Sequence, residues 1–528
     1  MKHRLGQLAG TAALLRLALR RDRIMLPVWV LVVALMVLSL PGALESAYAT
    51  GADRARLAAT MNTNGSLRAL YGPVFADSLG ALTAWRGAVF AGVLAGIMSL
   101  AVVVRHTREE EETGRQELLS AAMVGRRAPL TAALLAALTA NAAAALLVTG
   151  GLVGAHGAAG ALALGLGIGA TGMLFAGIAA IAAQLTESAR LAKGLAGALI
   201  GAAFVLRAAG DAGTPAGESA LTWASPLGWL EHVRAFAGER WWVLGLFAAA
   251  AALLVAAAYV LAGRRDVGMS FLPARPGPAE GRIGSAGALA WRLQRGGLAG
   301  WSLGFLTAGA VFGSMTDGAT QLVGDNERTR DIIQRMGGQS ALADAFLATM
   351  AGMLGMVAAL YIVSAVLRLT AEETGQRAEP LLAAPVGRLR WAGGHLAVAF
   401  GGSALILLLG GLGLGLGHGR DVAAATGAVL AQLPAVWVIG ALAALLHGAA
   451  PKYAAGAWGV AGAVLLLGWI GPALNLPQAV LDLSPFAHLP KLPGAQALAW
   501  TPLLALTALA AALLAAGLAA LRRRDLAA

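Results

Sequence analysis

Apolar residues in this chain are grouped into long runs, and most charged residues lie in the segments between those runs. A helix needs about 20 predominantly apolar residues to cross the hydrocarbon core of a bilayer. Runs of about this length occur six times in each half, which predicts an all-α integral membrane protein with twelve transmembrane helices. The predicted spans cover residues 24–43, 87–104, 128–150, 160–184, 194–210, 242–262, 299–316, 348–367, 392–416, 424–446, 455–473 and 500–521.

One charged segment occurs twice, each time after the second predicted span of a half. Residues 107–127, TREEEETGRQELLSAAMVGRR, are the first Glu-rich segment, and residues 370–388, TAEETGQRAEPLLAAPVGR, are the second Glu-rich segment. Both copies carry adjacent glutamates, then an arginine, a further glutamate and a Val-Gly-Arg sequence. The order of these residues indicates that the segment has been duplicated.

A second repeated motif extends the match. Arg-Arg-Asp follows the last predicted span of each half and ends at Asp266 and at Asp525. We therefore predict a pseudo-dimer of two tandem six-span halves, residues 1–266 and 286–528, joined by a cytoplasmic linker at 267–285, in which Pro and Gly recur.

Composition agrees with a membrane protein. Mean hydropathy is +0.72, and only 12% of the residues are charged, about half the share in a soluble domain. The net charge of +12 favours anionic lipid over nucleic acid, because the arginines flank the apolar runs. There is no cysteine, which excludes disulfides and cysteine-ligated metals. We predict no metal site and no catalytic site.

The distribution of basic residues predicts the orientation. The larger share of the 39 Lys and Arg residues falls on the side of both termini and both Glu-rich segments, which are therefore predicted to be cytoplasmic. The N-terminus is predicted to form an amphipathic interfacial helix. Its apolar face would carry Leu8, Ala12, Leu15 and Leu19, and its basic face Arg16, Arg20 and Arg23.

The chain carries no evident energy source of its own. A phosphate-binding loop needs a lysine directly after glycine, and none of the four lysines follows a glycine. Proton coupling usually requires an acid buried among the spans, and we assign no Asp or Glu to the interior of a span. These two observations predict a transporter driven by a separate subunit.

The Glu-rich segments are the predicted docking sites for that subunit. Glu111 and Arg115 are four residues apart, as are Glu373 and Arg377, and this spacing predicts a salt bridge on one face of a helix. An ordinary charged linker is free to diverge after duplication. These two copies kept their charge order, which favours a function for both.

With these motifs, the chain resembles the permease subunits of ATP-binding-cassette exporters with the type V fold, in particular the long fused permeases of bacterial polyketide-antibiotic exporters. The resemblance covers essentially the whole chain. It rests on EE-x3-R-x-E followed by VGR, on the Ser-Pro steps before the last span of each half, on Arg-Arg-Asp after it, and on SPFAHLPKLPG at 484–494.

The resemblance implies roles for particular residues. Each Glu-rich segment would be a cytoplasmic coupling helix on which one of two copies of a separate nucleotide-binding subunit docks, with ATP and Mg²⁺ bound by that partner. Residues 211–241 and 474–499 would be extracellular re-entrant segments. The implied coupling residues are Glu110, Glu111, Arg115, Glu117, Gly125, Arg126, Glu372, Glu373, Arg377, Glu379, Gly387 and Arg388, and candidates for the substrate path are Phe90, Met98, Met353, Met356 and Tyr361.

The functional prediction is export of hydrophobic or amphipathic small molecules, drug-like, antibiotic-like or lipid, across the cell membrane. Two other classes stay open. A proton-coupled drug antiporter would also have two six-span halves, and a non-transporting membrane scaffold would also present charged helices to a partner.

Overall fold

The computed structural model describes residues 6–120, 124–214, 218–266, 268–272, 281, 283–316, 339–469, 477–494 and 498–525. These residues are predominantly α-helical, and they contain no strand beyond an isolated bridge between Thr186 and Leu272. The chain divides into two compact units, Met1–Pro276 and Gly277–Ala528. The division falls inside the predicted linker, and the exact domain bounds stay a prediction.

The first unit begins with a short helix and continues with the predicted long helices. Its helices are Thr11–Arg21, Met25–Leu38, Leu40–Ala47, Gly51–Thr63, Gly65–Tyr71, Leu79–Arg105, Arg108–Glu112, Arg115–Ser120, Ala128–His156, Ala158–Leu185, Ala189–Gly213, Ala220–Trp223, Pro226–His232 and Trp242–Arg264.

The second unit contains a comparable series of long helices. Its α-helices are Ala286–Ser314, Gln339–Val366, Arg368–Thr374, Ala378–Leu382, Arg388–His418, Val422–Leu430, Leu433–Ala449, Gly456–Trp469, Gln478–Leu481 and Trp500–Arg523, with short 3₁₀ turns at Pro451–Tyr453 and Pro485–His488.

Eleven helices in the described residues are long and apolar enough to cross a membrane. The prediction of a multi-pass, all-helical protein is confirmed to that extent. The predicted eleventh span, 455–473, corresponds to a shorter apolar helix, Gly456–Gly468, so the twelve-span arrangement stays a prediction. The fourth span of the second half is interrupted between Leu430 and Leu433, just before Pro434, whose ring and missing N–H disfavour a continuous helix.

Small residues allow the spans of the first unit to approach closely. Gly96 on the second span lies against the ring of Phe175 on the fourth, and Gly92 lies against Leu230 of the helix Pro226–His232. A Cβ at either glycine would overlap with its neighbour. Such contacts are typical of membrane helices, which associate through packing rather than through the hydrophobic effect. They hold the segment 226–232 against the second span.

The N-terminal helix is amphipathic over part of the predicted face. Leu15 and Leu19 are half-buried against the core of the first unit, and Arg16 and Arg20 are exposed, but Ala12 and Leu8, which precedes the helix Thr11–Arg21, are exposed as well. Beyond the helix, the fully buried Asp22 pairs with His106 Nε2 at 2.6 Å and with Arg105 Nε at 3.1 Å. The end of the second span is therefore tied to the N-terminal segment.

Candidate functional site

The two Glu-rich segments fold as pairs of short helices rather than as one continuous helix. In the first, Arg108–Glu112 ends before Gly114, whose φ of +73° lies in the left-handed region that favours glycine. In the second, Arg368–Thr374 ends before Gln376, whose φ is +55°. The break changes the direction of the chain between the glutamates and the arginine that follows them.

The predicted salt bridges at i,i+4 spacing were therefore wrong. Arg115 approaches Glu110 at 3.5 Å instead of Glu111, and Arg377 binds Glu372 at 2.9 Å instead of Glu373. The spacing argument assumed an unbroken helix, and the turn at each break moves the arginine to the preceding glutamate. Glu111 and Glu373, the second glutamate of each pair, bind partners elsewhere in the fold.

In the first unit that partner is Arg265, just after the last span. Its two terminal nitrogens bind the two carboxylate oxygens of Glu111 at 2.6 and 2.9 Å, and Arg126 donates to the backbone carbonyl of Arg265 at 2.6 Å. We call this arrangement the first clamp. A two-bonded guanidinium–carboxylate pair is among the strongest charge-assisted contacts, and it fixes orientation as well as distance.

The second unit contains the same arrangement. Both terminal nitrogens of Arg524 bind the Glu373 carboxylate at 2.6 Å, and Arg388 donates to the backbone carbonyl of Arg524 at 2.6 Å. We call this the second clamp. The two clamps are formed by equivalent residues of the two halves. Each clamp attaches a Glu-rich segment to the end of the last span of the same half.

The first Glu-rich segment has further attachments that involve several spans. Arg108, fully buried, binds Glu111 at 2.7 Å and also donates to the Ala183 carbonyl at the end of the fourth span. The Glu112 carboxylate accepts from the Ala189 backbone N–H at 3.0 Å, which satisfies a free donor at the start of the fifth span. Movement of this segment is therefore coupled to the fourth, fifth and last spans.

Some of the predicted coupling residues face their own chain. Glu110 binds Arg21 of the N-terminal helix at 2.5 Å, and the buried Gly125 lies directly under Gln7, where a Cβ would overlap with the Gln7 backbone. The predicted coupling residues that are exposed are Arg115, Glu117, Arg126, Arg377, Glu379 and Gly387. Glu372 is buried between Arg368 and Arg377.

A buried charged network lies at the opposite end of the first unit. Arg207 and Asp211 are fully buried near the end of the fifth span, 3.3 Å apart, and Arg207 also binds Glu231 at 2.8 Å. The assignment of no acid to the interior of a span was wrong, because Asp211 lies inside the helix Ala189–Gly213. Arg207 lies inside the predicted fifth span, 194–210, and the helix continues past it to Gly213, with the charge of Arg207 balanced by Asp211 and Glu231.

Two of the substrate-path candidates, Met98 and Tyr361, belong to the buried cores of their units, and the other three are half-buried. Met98 is fully buried, and the Phe90 ring lies 6.0 Å from the Tyr71 ring. Tyr361 is buried 6.0 Å from the Trp301 ring. Met353 and Met356 are half-buried, and Met356 lies beside Gly468. Their role in a substrate path stays a prediction.

Sequence reasoning missed the partners in the clamps and the network. Arg265 and Arg524 were visible as part of the repeated Arg-Arg-Asp motif, which was interpreted as an anchor to lipid rather than as a partner of the glutamates. Arg207 and Glu231 belong to no repeated motif that would have marked them as partners. The repeat aligns them with Leu466 and Pro490, so the second half does not carry the same charged residues at these two positions.

Comparison with known proteins gives two matches. Residues 283–522 match the family described as "Multidrug efflux system permease Rv1217c, C-terminal domain". The chain is 44% identical over 534 aligned positions to the "Multidrug efflux system permease protein Rv1217c" of Mycobacterium tuberculosis (strain ATCC 25618 / H37Rv), with 99% of this chain and 96% of that protein covered. Identity at this level over nearly the full length of both proteins shows that the chain belongs to the family of the multidrug efflux permease Rv1217c.

Proposed function

We propose that this chain is the membrane permease of an efflux system for hydrophobic or amphipathic small molecules, driven by two copies of a separate ATPase subunit. The observation that carries the proposal is the repeated clamp, Glu111 with Arg265 and Glu373 with Arg524. The name of the relative supports efflux, and the absence of a phosphate-binding loop around the four lysines supports a separate source of energy.

In this proposal the two faces of each Glu-rich segment have different tasks. The outward residues, such as Arg115 and Arg377, contact the ATPase subunit, whose bound ATP and Mg²⁺ supply the energy. The inward glutamates hold the segment on the last span of its half. A displacement of the segment by the ATPase would then move that span directly, because a bidentate ion pair transmits both position and orientation.

The proposal includes a location. The chain would lie in the cell membrane with both termini, the linker and both Glu-rich segments in the cytoplasm, as the distribution of Lys and Arg favours. Basic side chains such as Arg16 and Arg20 on the exposed face of the N-terminal helix would lie against anionic lipid headgroups.

Docking is tested by reversing the outward arginines. The side chains of Arg115 and Arg377 are 56% and 58% exposed, so R115E/R377E reverses two surface charges; it also removes their contacts with the buried Glu110 and Glu372, and thermal unfolding of the purified variant checks that the fold is kept. We expect the affinity for the ATPase subunit to fall about tenfold, since a partner surface that fits two arginines would then face two carboxylates. The measurement is the Mg²⁺-ATP hydrolysis that copurifies with the tagged chain from its native membranes. R56E, with an exposed arginine elsewhere, is the matched control.

Proton-coupled efflux is the second candidate, and the buried Asp211 and Glu231 favour it. Burial raises the pKa of the Glu231 carboxyl well above its usual range, while the Arg207 guanidinium acts in the opposite direction. A carboxyl group in such surroundings is typical of proton relays in transporters. Here Arg207 pairs with both carboxylates, which favours a structural role and ranks this candidate second.

Inverted membrane vesicles distinguish the two candidates. We expect vesicles that contain this chain to accumulate a hydrophobic fluorescent drug when ATP is added, to stop when orthovanadate is added, and to continue when an uncoupler removes the proton gradient. Vesicles from cells that lack the chain are the control. Accumulation that needs the gradient and proceeds without ATP would establish the antiporter, and absence of any flux would favour the scaffold.

A further inference from the structure

Buried charges attach the N-terminal segment, residues 6–23, to the first Glu-rich segment. Arg21 Nη1 binds Glu110 Oε1 at 2.5 Å, and the Glu110 side chain is only 9% exposed. The next residue, the fully buried Asp22, pairs with His106 Nε2 at 2.6 Å at the end of the second span. Loss of either partner would leave a buried charge uncompensated, which is costly, so the two segments are held together.

The backbone of the N-terminal segment holds the other end of the first Glu-rich segment. The N–H of Gly125 donates to the Ala9 carbonyl at 2.9 Å, and the N–H of Arg127 donates to the Gln7 carbonyl at 3.0 Å. A Cβ on Gly125 would overlap with the Gln7 backbone, so this close approach requires glycine. The first Glu-rich segment is therefore fixed to the N-terminal segment near its beginning and at its end.

The second half forms the equivalent ion pair within one helix. Glu372, which aligns with Glu110, is bound at 2.6 Å by Arg368, four residues earlier. The repeat aligns Arg368 with His106, so the first half lacks an arginine at this position. Arg21 supplies to Glu110 the cation that Arg368 supplies to Glu372. The N-terminal segment thus provides to the first Glu-rich segment what the second obtains from its own helix.

The outer face of the N-terminal segment carries three arginines without an acidic partner. Arg16 and Arg20 lie about one turn apart on the N-terminal helix, and Arg23 follows two residues after its end. All three are exposed, and none forms an ion pair with a residue that the structure describes. Arginines in such a cluster beside a span are attracted to an anionic membrane surface. The positive charge of this face is therefore available to a negatively charged partner.

Apolar side chains next to these arginines indicate that the partner is a bilayer. Leu17 is 45% exposed and Ile24 is 71% exposed. The candidate span Met25–Ala47 begins at the following residue, so the segment joins the membrane at the level of the lipid headgroups. A helix that presents basic and apolar side chains in this position fits the surface of an anionic bilayer.

We propose that the outer face of the N-terminal segment binds anionic lipid headgroups and thereby holds the first Glu-rich segment, but not the second, in its docking position. The inference rests on the proposed cytoplasmic location of that segment, and it adds lipid charge as a regulator. Headgroups restrain the outer arginines, and the Arg21–Glu110 pair and the backbone bonds pass that restraint to the first Glu-rich segment. The two ATPase contacts then differ in their dependence on lipid.

The test is amide hydrogen exchange of the purified chain, without ATPase or drug, in two kinds of nanodisc. One contains phosphatidylcholine alone, and the other contains equal parts of phosphatidylcholine and phosphatidylglycerol. We expect phosphatidylglycerol to slow exchange in peptides that cover 108–120 about fivefold or more, and in peptides that cover 370–382 by less than about twofold. The second Glu-rich segment is thus an internal control in the same molecule.

Neutralising the outer arginines tests the lipid contact. In R16Q/R20Q/R23Q we expect phosphatidylglycerol to slow exchange in 108–120 by less than about twofold, because the headgroups no longer meet a cationic face. R56Q/R420Q removes two exposed arginines that the charge distribution places on the opposite side of the membrane. This control should respond to phosphatidylglycerol as the unmodified chain does.

R21Q tests the connection between the two segments. We expect residues 11–20 to keep their protection by phosphatidylglycerol, while the effect on 108–112 falls to about half, because only the backbone bonds then transmit the restraint.

Thermal unfolding identifies a variant that fails to fold, and the two lipids and two segments of the unmodified chain then decide alone. Absence of slowing in 108–120, equal slowing in both Glu-rich segments, or full slowing in R16Q/R20Q/R23Q or R21Q would overturn the proposal. Since neither ATPase nor drug is present, such a result leaves ATP-driven efflux standing, and a failure of the docking test leaves this measurement valid.

Discussion

Reversing the inward glutamates of both clamps, in the variant E111R/E373R, is expected to abolish drug efflux. Each new arginine would face Arg265 or Arg524 across a distance that is now about 2.6 Å. Loss of one partner from a buried ion pair costs about 3–5 kcal/mol, and a like charge adds repulsion. Both Glu-rich segments would detach from the last spans. The measurement is ATP-dependent drug accumulation in inverted vesicles, together with thermal unfolding of the purified chain.

A charge swap provides the matched test. In the second clamp, E373R/R524E restores an ion pair, and Arg388 still binds the backbone carbonyl of residue 524, so we expect recovery of most of the efflux lost in E373R alone. In the first clamp, E111R/R265E should recover less, because the buried Arg108 would face the new arginine. E45R, which changes an exposed glutamate, should transport normally. Normal efflux in E111R/E373R would refute the role of the clamps.

Among the substitutions of charged residues described above, we expect R207L to cause the largest loss of stability of the fold. Leucine is the residue at the matching position of the second half. R207L leaves Asp211 and Glu231 buried together without a cation, at a cost of about 3–5 kcal/mol. The backbone carbonyls of Ala69 and Leu70 would also lose their donor. The measurement is the thermal unfolding temperature of the purified chain in detergent.

Neutralising both acids isolates the electrostatic part of that loss. In R207L/D211N/E231Q neither acid is left as an unpaired buried charge, so we expect most of the stability to return, although the two carbonyls stay without their donor and the buried Arg68 loses the nearby charge of Asp211. R56L removes an exposed arginine and should change stability by no more than about 0.5 kcal/mol. An unfolding temperature of R207L equal to that of the unmodified chain would show that the network contributes nothing to the fold.

Several features of the fold were predictable from the sequence. Apolar runs of about 20 residues are stable in a bilayer as helices, which satisfy their own backbone N–H and C=O groups where lipid offers no partners. That constraint acts locally, so composition and run length were sufficient to locate most of the long helices. The duplication was likewise visible, because repeated charged motifs are rare in a chain with only 12% charged residues.

The sequence by itself determined the membrane class, the repeat and the positions of the two Glu-rich segments. Only the tertiary structure decided which charges meet. Glu111 binds Arg265 instead of Arg115, and Asp211 and Glu231 share Arg207, across separations that helical spacing does not describe. A turn at Gly114 removes the local partner, and packing brings a distant one into a largely buried site. An unpaired charge costs the most free energy when it is buried, so buried charges determine the pairing. Which charges are buried depends on how the helices pack.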